Sequence, residues 1–298
     1  MKKRIIRIAS LALVILGMVS CSDEQETALR PQDAKSIPMT FLVSYPGQAS
    51  RATETNFEKN DKIGLYVADA KAQLEIGGNL VNNETITYDG SKWAAARALY
   101  WNKGTYTAYA YYPYIENVSS ITDQSFSVAL DQRVAKTATS LGGYEASDLL
   151  FATSKNISAS ASPINLTFKH IMSKLKIRLV KGEDFEGEMP ATADVYIHNT
   201  VPTATVDLQA GVATRYVKGT RHTIVARQDD EASYSAIIVP QRIDNRMPLI
   251  EVVMNGVSYL YESKFQFKPG IEHLVNLIIS DNPDQVKIEI GGEIQNWQ

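Results

Sequence analysis

The chain has 298 residues, and its 30 lysines and arginines are outnumbered by 33 aspartates and glutamates, which gives a formal net charge of −3. Nucleic-acid binding requires a broad basic face, so this balance argues against a nucleic-acid partner. The single cysteine, Cys21, excludes an internal disulfide and a thiolate metal site.

The first 20 residues have the features of a secretory signal peptide. Four cations precede the apolar run 8–19, and they are Lys2, Lys3, Arg4 and Arg7. A membrane-spanning helix needs about 20 apolar residues, and this run is shorter. The sequence MVSC at 18–21 resembles the lipobox of bacterial lipoproteins. We therefore predict a signal peptide at 1–20, lipidation of Cys21 and anchoring in the outer membrane by more than one acyl chain.

A polar, acidic lipoprotein tether is expected at 21–36. Loss of the signal peptide removes four basic and no acidic side chains, so the formal charge becomes −7. The sequence SDEQET directly after Cys21 is typical of an ordinary solvated linker. It also resembles the signal that sends lipoproteins of some Gram-negative anaerobes to the outer face of the outer membrane. Both interpretations stay open.

Short apolar segments bounded by Gly, Asn, Asp and Pro predict β-strands along the N-terminal half. They include DKIGLYV at 61–67, SFSVAL at 125–130 and DLLFAT at 148–153. KWAAARALYW at 92–101 is compatible with a helix, because of its alanines, or with a strand, a turn and a second strand. Many short strands with little helical periodicity indicate an all-β chain built as an antiparallel sandwich.

The stretch YTAYAYYPY at 106–114 holds five of the 15 tyrosines. Exposed together, such rings would form a platform for a sugar or a base. In a strand, however, Tyr109 and Tyr111 lie on the face opposite to Tyr106 and Tyr112. Aromatic rings on both faces favour a strand that is covered on both sides.

The polar stretch TSKNISASASP at 153–163 predicts a domain boundary. We therefore divide the chain into an N-terminal β-sandwich domain at 37–160 and a C-terminal β-sandwich domain at 161–298, although a loop within a single domain is the alternative. SKLKIRLV at 173–180 alternates apolar and charged residues, as a half-buried strand does. Asn-Gly at 255–256 predicts a two-residue hairpin turn.

Motifs that carry chemistry are not found in the sequence. The histidines are scattered, at His170, His198, His222 and His273. No HExxH, GxSxG or GxxxxGKS pattern occurs, and the acidic run at 229–231 lies in a polar stretch typical of a hairpin tip. A glycosidase with carboxylates on distant strands would escape such a search. We expect a protein that is not an enzyme and has no cofactor and no metal.

Landmarks along nearly the whole mature chain share a characteristic order and spacing. They are SRAT (50–53), NDKIGLYV (60–67), Trp93 and Trp101 before YTAYAYYPY, SDLLFATS (147–154), LTFKHIMSKLKIRL (166–179), AIIVPQ (236–241), FKPGIEHLVNLII (267–279) and IQNW (294–297). Together they resemble the fimbrillin family, the pilins and pilin-like surface lipoproteins of Gram-negative anaerobes. The resemblance implies two tandem transthyretin-like antiparallel β-sandwich domains, a place on the cell surface or in a pilus, and no catalysis.

The resemblance also implies a route of assembly. Many fimbrillins are cut after an N-terminal arginine by an extracellular Arg-specific protease, which removes the first strand and leaves a groove for a neighbour's strand. On this chain the implied cut lies between Arg51 and Ala52. PMTFLVS at 38–44 is the implied displaced strand, with candidate core side chains Met39, Phe41 and Leu42. Relatives need not be processed, so Arg51 is either the cleavage site or a plain loop residue.

The implied partners are other pilin subunits, by strand exchange, the outer membrane, through the lipid anchor, and an unidentified host or bacterial surface ligand. QVKIEI at 285–290 is the expected last core strand. If it closes its own sheet, little is left to donate to a neighbouring subunit, which favours a tip, accessory or non-polymerising role over a main stalk subunit.

Two rival classes of function stay open. A surface glycan-binding lipoprotein would expose coplanar aromatic rings, and a structural envelope lipoprotein would lack a groove beneath the first strand.

Overall fold

A computed structural model describes residues 37–46, 56–283 and 287–295, and this part of the chain is nearly all β. Its helix is α1 (Gly143–Ser147). Its strands, in chain order, are β1 (Phe41–Ser44), β2 (Lys62–Asp69), β3 (Val81–Tyr88), β4 (Trp93–Ala95), β5 (Thr105–Tyr112), β6 (Gln124–Ser127), β7 (Leu150–Ser158), β8 (Ile164–Thr167), β9 (Lys169–His170), β10 (Ser173–Lys181), β11 (Asp194–Thr200), β12 (Thr203–Asp207), β13 (Val212–Arg215), β14 (His222–Val225), β15 (Arg227–Asp230), β16 (Ser233–Ile238), β17 (Gln241–Met254), β18 (Val257–Phe267), β19 (Ile271–Ile279) and β20 (Lys287–Gln295).

Strand pairing in the larger sheets is mainly antiparallel, as the sequence predicts, and the sheet that contains β10 and β19 is mixed. Six strands form one sheet in the order β4-β3-β2-β5-β7-β9, and two further sheets have the orders β15-β16-β10-β19-β20 and β14-β11-β17-β18. Among the described strands, the parallel pairs are β1 with β8 and β10 with β19. KWAAARALYW contains β4, a short strand paired with β3, so its helical alternative is wrong.

Two hydrophobic clusters form the interior. The first core is made of buried residues between 39 and 168, and the second core of buried residues between 66 and 279. β5 lies between them: Tyr106 and Tyr112 belong to the first core, whereas Tyr111 belongs to the second core and Tyr109 packs against it. The interpretation of YTAYAYYPY as a strand covered on both sides is therefore confirmed.

The second core is lined by β10, whose alternation follows the sequence pattern. Leu175, Ile177 and Leu179 are buried in it. The Asn-Gly hairpin is also confirmed, since Asn255 and Gly256 join β17 to β18 with φ angles of 50° and 79°. Positive φ at both central residues is what a type I′ turn requires, and asparagine and glycine tolerate it best.

The region around residue 160 is less simple than its composition suggests. Residues 153–158 of the polar stretch continue β7, so the stretch as a whole is not a linker. Asn156, with a φ of 57°, lies where the β5–β7 register shifts, and such a bulge admits polar residues into a strand. Residues before 160 also belong to the second core, among them Tyr66, Tyr111 and Phe151, and β6 pairs with β12. The division into two domains at 160 stays a prediction.

Candidate functional site: the first-strand groove

The segment 37–46, which we call the first-strand segment, alternates between the interior and the solvent over residues 37–43, and Pro46 at its end is buried as well. Its inward side chains are Ile37, Met39, Phe41, Val43 and Tyr45, which all belong to the first core or pack against it. Met39 is buried, with 7 % of its surface exposed, and Phe41 is half-buried, so both lie where the prediction put them. Leu42 does not, because 58 % of its surface is exposed. The prediction that Leu42 is a core side chain is wrong, since neighbours in a strand point to opposite faces.

The backbone of this segment is hydrogen-bonded on both edges. On one edge the amide of Met39 donates to the Leu99 carbonyl (2.8 Å) and the amide of Trp101 donates to the Ile37 carbonyl (2.9 Å). On the other edge the amide of Ile164 donates to the Thr40 carbonyl (2.8 Å), at the start of the parallel ladder between β1 and β8. In the described part of the chain, β8 pairs with no other strand. The segment therefore fills a groove between residues 99–101 and β8, which we call the first-strand groove. Its departure would leave both of these edges unpaired.

Polar contacts among Tyr45, Asp148 and His170 hold the C-terminal end of the first-strand segment in place. We call these three residues the Tyr45 latch. The Tyr45 hydroxyl donates to Asp148 Oδ2 at 3.3 Å, and Asp148 Oδ1 lies 2.8 Å from His170 Nδ1. Asp148 and His170 are both buried. Burial, and then the negative charge of Asp148, raises the pKa of the Tyr45 hydroxyl well above its ordinary value. The hydroxyl therefore stays protonated and able to donate at neutral pH.

Phe57, which follows residues 47–55 in the sequence, also packs against the first core. The ring of Phe57 meets Tyr45 edge to face at 5.1 Å between centroids, and it makes similar contacts with Trp93, Tyr112 and Phe168. Tyr45 and Phe57 thus bring the two flanks of the predicted cleavage site together. Arg51 and Ala52 themselves lie outside the described residues, as does the predicted lipidation site Cys21.

Sequence reasoning missed the three inward residues Ile37, Val43 and Tyr45, and the buried pair beneath Tyr45. A period of two through Met39 reaches all three, so the signal was present. Asp148 and His170 are 22 positions apart in the sequence, and no local pattern joins them.

At the other end of the described chain, β20 is paired antiparallel with β19, from Ile271 with Gln295 to Ile278 with Lys287. Ile288 packs against the second core. The last strand therefore closes the sheet of its own chain. Among the described residues, no cluster of His, Cys, Asp and Glu has a metal-binding arrangement, and no helix has the length and apolarity to span a bilayer.

Comparison with known proteins identifies the family. The model of the family described as "Fimbrillin-like" matches residues 50–297. The chain belongs to the fimbrillin-like family. This is a family of fimbrial and adhesion proteins rather than of enzymes, and the sequence-based resemblance is confirmed.

The relatives of this fimbrillin-like chain agree with that assignment. A protein of Bacteroides ovatus named "Putative fimbrium tip subunit Fim1C" is 29% identical over 129 residues, which are 40% of this chain and 23% of that protein. The chain thus spans less than a quarter of the length of that curated relative.

Two solved structures share the fold. Both are described as "a putative cell adhesion protein", one from Bacteroides ovatus (TM-score 0.67, 18% identity, 89% of this chain and 98% of that one) and one from Bacteroides uniformis (TM-score 0.66, 20% identity, 90% of this chain and 100% of that one). At these identities the likeness shows the fold alone, and it confirms the all-β class.

Proposed function

We propose that this fimbrillin-like protein is a cell-surface fimbrial subunit, in a tip or accessory position, that joins a neighbouring subunit by strand exchange at the first-strand groove. The observation that carries the proposal is the seating of the first-strand segment: alternate side chains enter the first core while the backbone is bonded on both edges. That is the geometry of β-augmentation, in which main-chain bonds supply affinity and alternate side-chain pockets supply specificity.

The energetics favour replacement of the strand over an empty groove. Each fully buried apolar side chain stabilises the folded state by about 1.5–3 kcal/mol. Loss of Met39 and its half-buried neighbours would therefore expose apolar surface of the first core and lower the stability of the protein by several kcal/mol. The edges at Leu99–Trp101 and at β8 would also lose their partners. An incoming strand with the same alternation would restore both contributions.

Processing at Arg51 is part of the proposal. A cut between Arg51 and Ala52 would separate the first-strand segment from the rest of the chain, because Tyr45 and Phe57 lie on opposite sides of that bond in the sequence. Upstream, we propose export by the signal peptide at 1–20, lipidation of Cys21, and a tether at 21–36 that holds the protein at the outer membrane. We also propose that the body consists of two transthyretin-like sandwiches, at 37–160 and 161–298.

A tip or accessory position is supported by the use of the last strand. β20 is paired within the sheet of its own chain and is therefore engaged rather than free to enter a neighbour. The partial match to a protein named as a fimbrium tip subunit points the same way. A glycan platform at YTAYAYYPY is disfavoured, because Tyr106, Tyr111 and Tyr112 are buried.

The test is a strand-exchange assay on the full-length protein. The protein is digested with an Arg-specific endoproteinase, cleavage after Arg51 is checked by mass, and a labelled peptide of residues 37–46 is added. We expect the peptide to replace the original segment, with co-elution of label and protein in size-exclusion chromatography. A peptide with Met39→Asn and Phe41→Asn should fail, whereas a matched peptide with Thr40→Asn and Leu42→Asn should exchange. Equal behaviour of the two variant peptides would contradict the proposal.

The processing step has its own measurement. The mass of the protein recovered from the cell surface distinguishes an acylated start at Cys21 from a start at Ala52. A mature surface protein that begins at Cys21 throughout growth would exclude cleavage at Arg51 and leave the fold and the groove unaffected.

A further inference from the structure

The loop between β13 and β14 concentrates positive charge on an otherwise acidic chain. Residues 208–228 contain no aspartate or glutamate, and their cations are Arg215, Lys218, Arg221 and Arg227. Arg227 is engaged, because its guanidinium lies 3.2 Å from carboxylate oxygens of Glu145 and of Asp229. We call residues 215–222, RYVKGTRH, the basic loop.

The three cations of the basic loop are not neutralised by carboxylates within the described part of the chain. Arg215 and Lys218 form no ion pair there, and the Arg221 guanidinium lies 3.1 Å from the Met247 sulfur. Lys218 and Arg221 are exposed, and Arg215 is half-buried. Lys136, by contrast, is paired with both Glu58 and Asp61. The basic loop therefore presents positive charge that an anionic partner can neutralise.

Apolar side chains stand among these charges. Tyr216 is 43% exposed and Val217 is 82% exposed, the latter being the highest fraction among the exposed large hydrophobic residues of the described chain. A tyrosine ring next to cations offers two complementary contacts, because its face packs on the C–H groups of a sugar while its hydroxyl and the cations bind polar substituents.

A cavity adjoins the basic loop. Its volume is about 400 Å³, and its lining includes Arg221, His222, His198, Asn199 and Glu251. This is within the range of sites that bind small ligand groups. The Glu251 carboxylate is itself engaged: it accepts a hydrogen bond from the Ser258 hydroxyl (2.6 Å), and its other oxygen lies 2.8 Å from His198 Nε2. These two contacts, the Ser258 bond first, lower the pKa of Glu251, so its carboxylate stays ionised with both oxygens hydrogen-bonded.

We propose that the basic loop and the adjoining cavity bind an anionic polysaccharide. Its sulfate or carboxylate groups pair with Arg215, Lys218 and Arg221, since a guanidinium binds such groups with two parallel hydrogen bonds and a lysine ammonium binds them as a point charge. A sugar ring packs on Tyr216. Three cations on a chain of net charge −3 are too few for the extended contacts of nucleic acid, and a concave cavity suits a projecting substituent better than a flat membrane. The site uses no residue of the first-strand segment, so it is independent of strand exchange.

The experiment measures binding of the full-length protein to immobilised dextran sulfate, with neutral dextran as the matched probe and double-stranded DNA as the second polyanion. We expect binding to dextran sulfate alone, and a clear weakening when sodium chloride rises from about 50 mM to about 500 mM. Binding to neutral dextran, or binding to DNA as tight as to dextran sulfate, would overturn the assignment to an anionic polysaccharide.

Variants locate the site. The triple variant Arg215→Gln, Lys218→Gln and Arg221→Gln is expected to weaken binding on the order of tenfold. The control Lys71→Gln, Lys103→Gln and Lys155→Gln removes the same charge from exposed positions elsewhere and should bind like the wild type. The single change Lys218→Glu, at an exposed loop position, should weaken binding about twofold to fivefold with an unchanged melting curve. Equal losses in the two triple variants, or no loss in Lys218→Glu, would overturn the proposal.

Discussion

The first-strand segment and β10 both run against a core, but they are held in place very differently. β10 is hydrogen-bonded along its length to β16 on one side and to β19 on the other, and its Leu175 and Ile177 are fully buried. The first-strand segment has a four-residue ladder with β8 and two bonds to residues 99–101. Of its inward side chains, Met39 is buried and the others are half-buried.

This difference supports the proposal that the fold requires β10 and can exchange the first-strand segment. Removal of β10 would split a five-stranded sheet and open the second core. Removal of the first-strand segment would open one side of the first core and leave the six-stranded sheet with all its pairings. We therefore expect perturbations of β10 to affect the whole molecule, and perturbations of the first-strand segment to affect that segment.

The strongest test of this contrast is Ile177→Ala. The side chain is fully buried in the second core, so its truncation should lower the free energy of unfolding by about 2–5 kcal/mol. Chemical denaturation of the full-length protein measures this. The neighbouring exposed residue gives the control, since Arg178→Ala should change stability by less than about 0.5 kcal/mol. A loss below about 1 kcal/mol for Ile177→Ala would mean that β10 is not a core strand.

Met39→Ala should have a smaller and more local effect. It removes the most buried of the inward side chains of the first-strand segment, and we expect a loss of about 2 kcal/mol, at the low end for core truncations. Exchange of backbone amide hydrogens with solvent should accelerate in residues 37–46, while the amides of β10 stay protected from exchange. Leu42→Ala is the matched control, because the Leu42 side chain is largely in solvent and its removal should leave exchange unchanged. Uniform acceleration throughout the molecule would show that the segment does not open separately.

Alkaline pH should destabilise the fold through buried tyrosines. Burial raises the pKa of Tyr45 and of Tyr112 far above the ordinary value of 10.0. Above about pH 10 the unfolded chain loses these protons and the folded chain keeps them, so stability falls as pH rises, by up to about 1.4 kcal/mol per pH unit for each tyrosine. Below that pH the effect is absent. Urea denaturation between about pH 8 and about pH 11 should show a shallower fall for Tyr45→Phe than for the exposed Tyr100→Phe.

The smallest effect is expected for Tyr45→Phe at neutral pH. The change keeps the ring against Phe57 and removes only the hydroxyl donated to Asp148, so it should cost about 0.5–1.5 kcal/mol. Peptide exchange into the groove should become correspondingly faster. If the rate is the same as in Tyr100→Phe, the Tyr45 latch does not contribute to retention of the strand.

Local patterns in the sequence were enough to predict much of this architecture. The alternation in β10, the Asn-Gly turn and the two-sided tyrosine strand are each determined by neighbours in the chain, and each is confirmed. The first-strand register was misassigned at Leu42, because Phe41, Leu42 and Val43 are consecutive apolar residues and only the longer period of two from Met39 to Tyr45 chooses the inward face. Pairing across long separations, such as β6 with β12, depends on tertiary packing that no local signal records.

The contact between Tyr45 and Phe57 has a further thermodynamic consequence. Because residues 47–55 connect these two packed flanks, the intact chain supplies its own first strand as an intramolecular ligand, at an effective concentration of about millimolar for so short a connection. A neighbour's strand at ordinary concentrations competes poorly against that. Hydrolysis of a single peptide bond in the connection would remove this advantage, so that the same contacts become subject to dilution and to competition from other subunits.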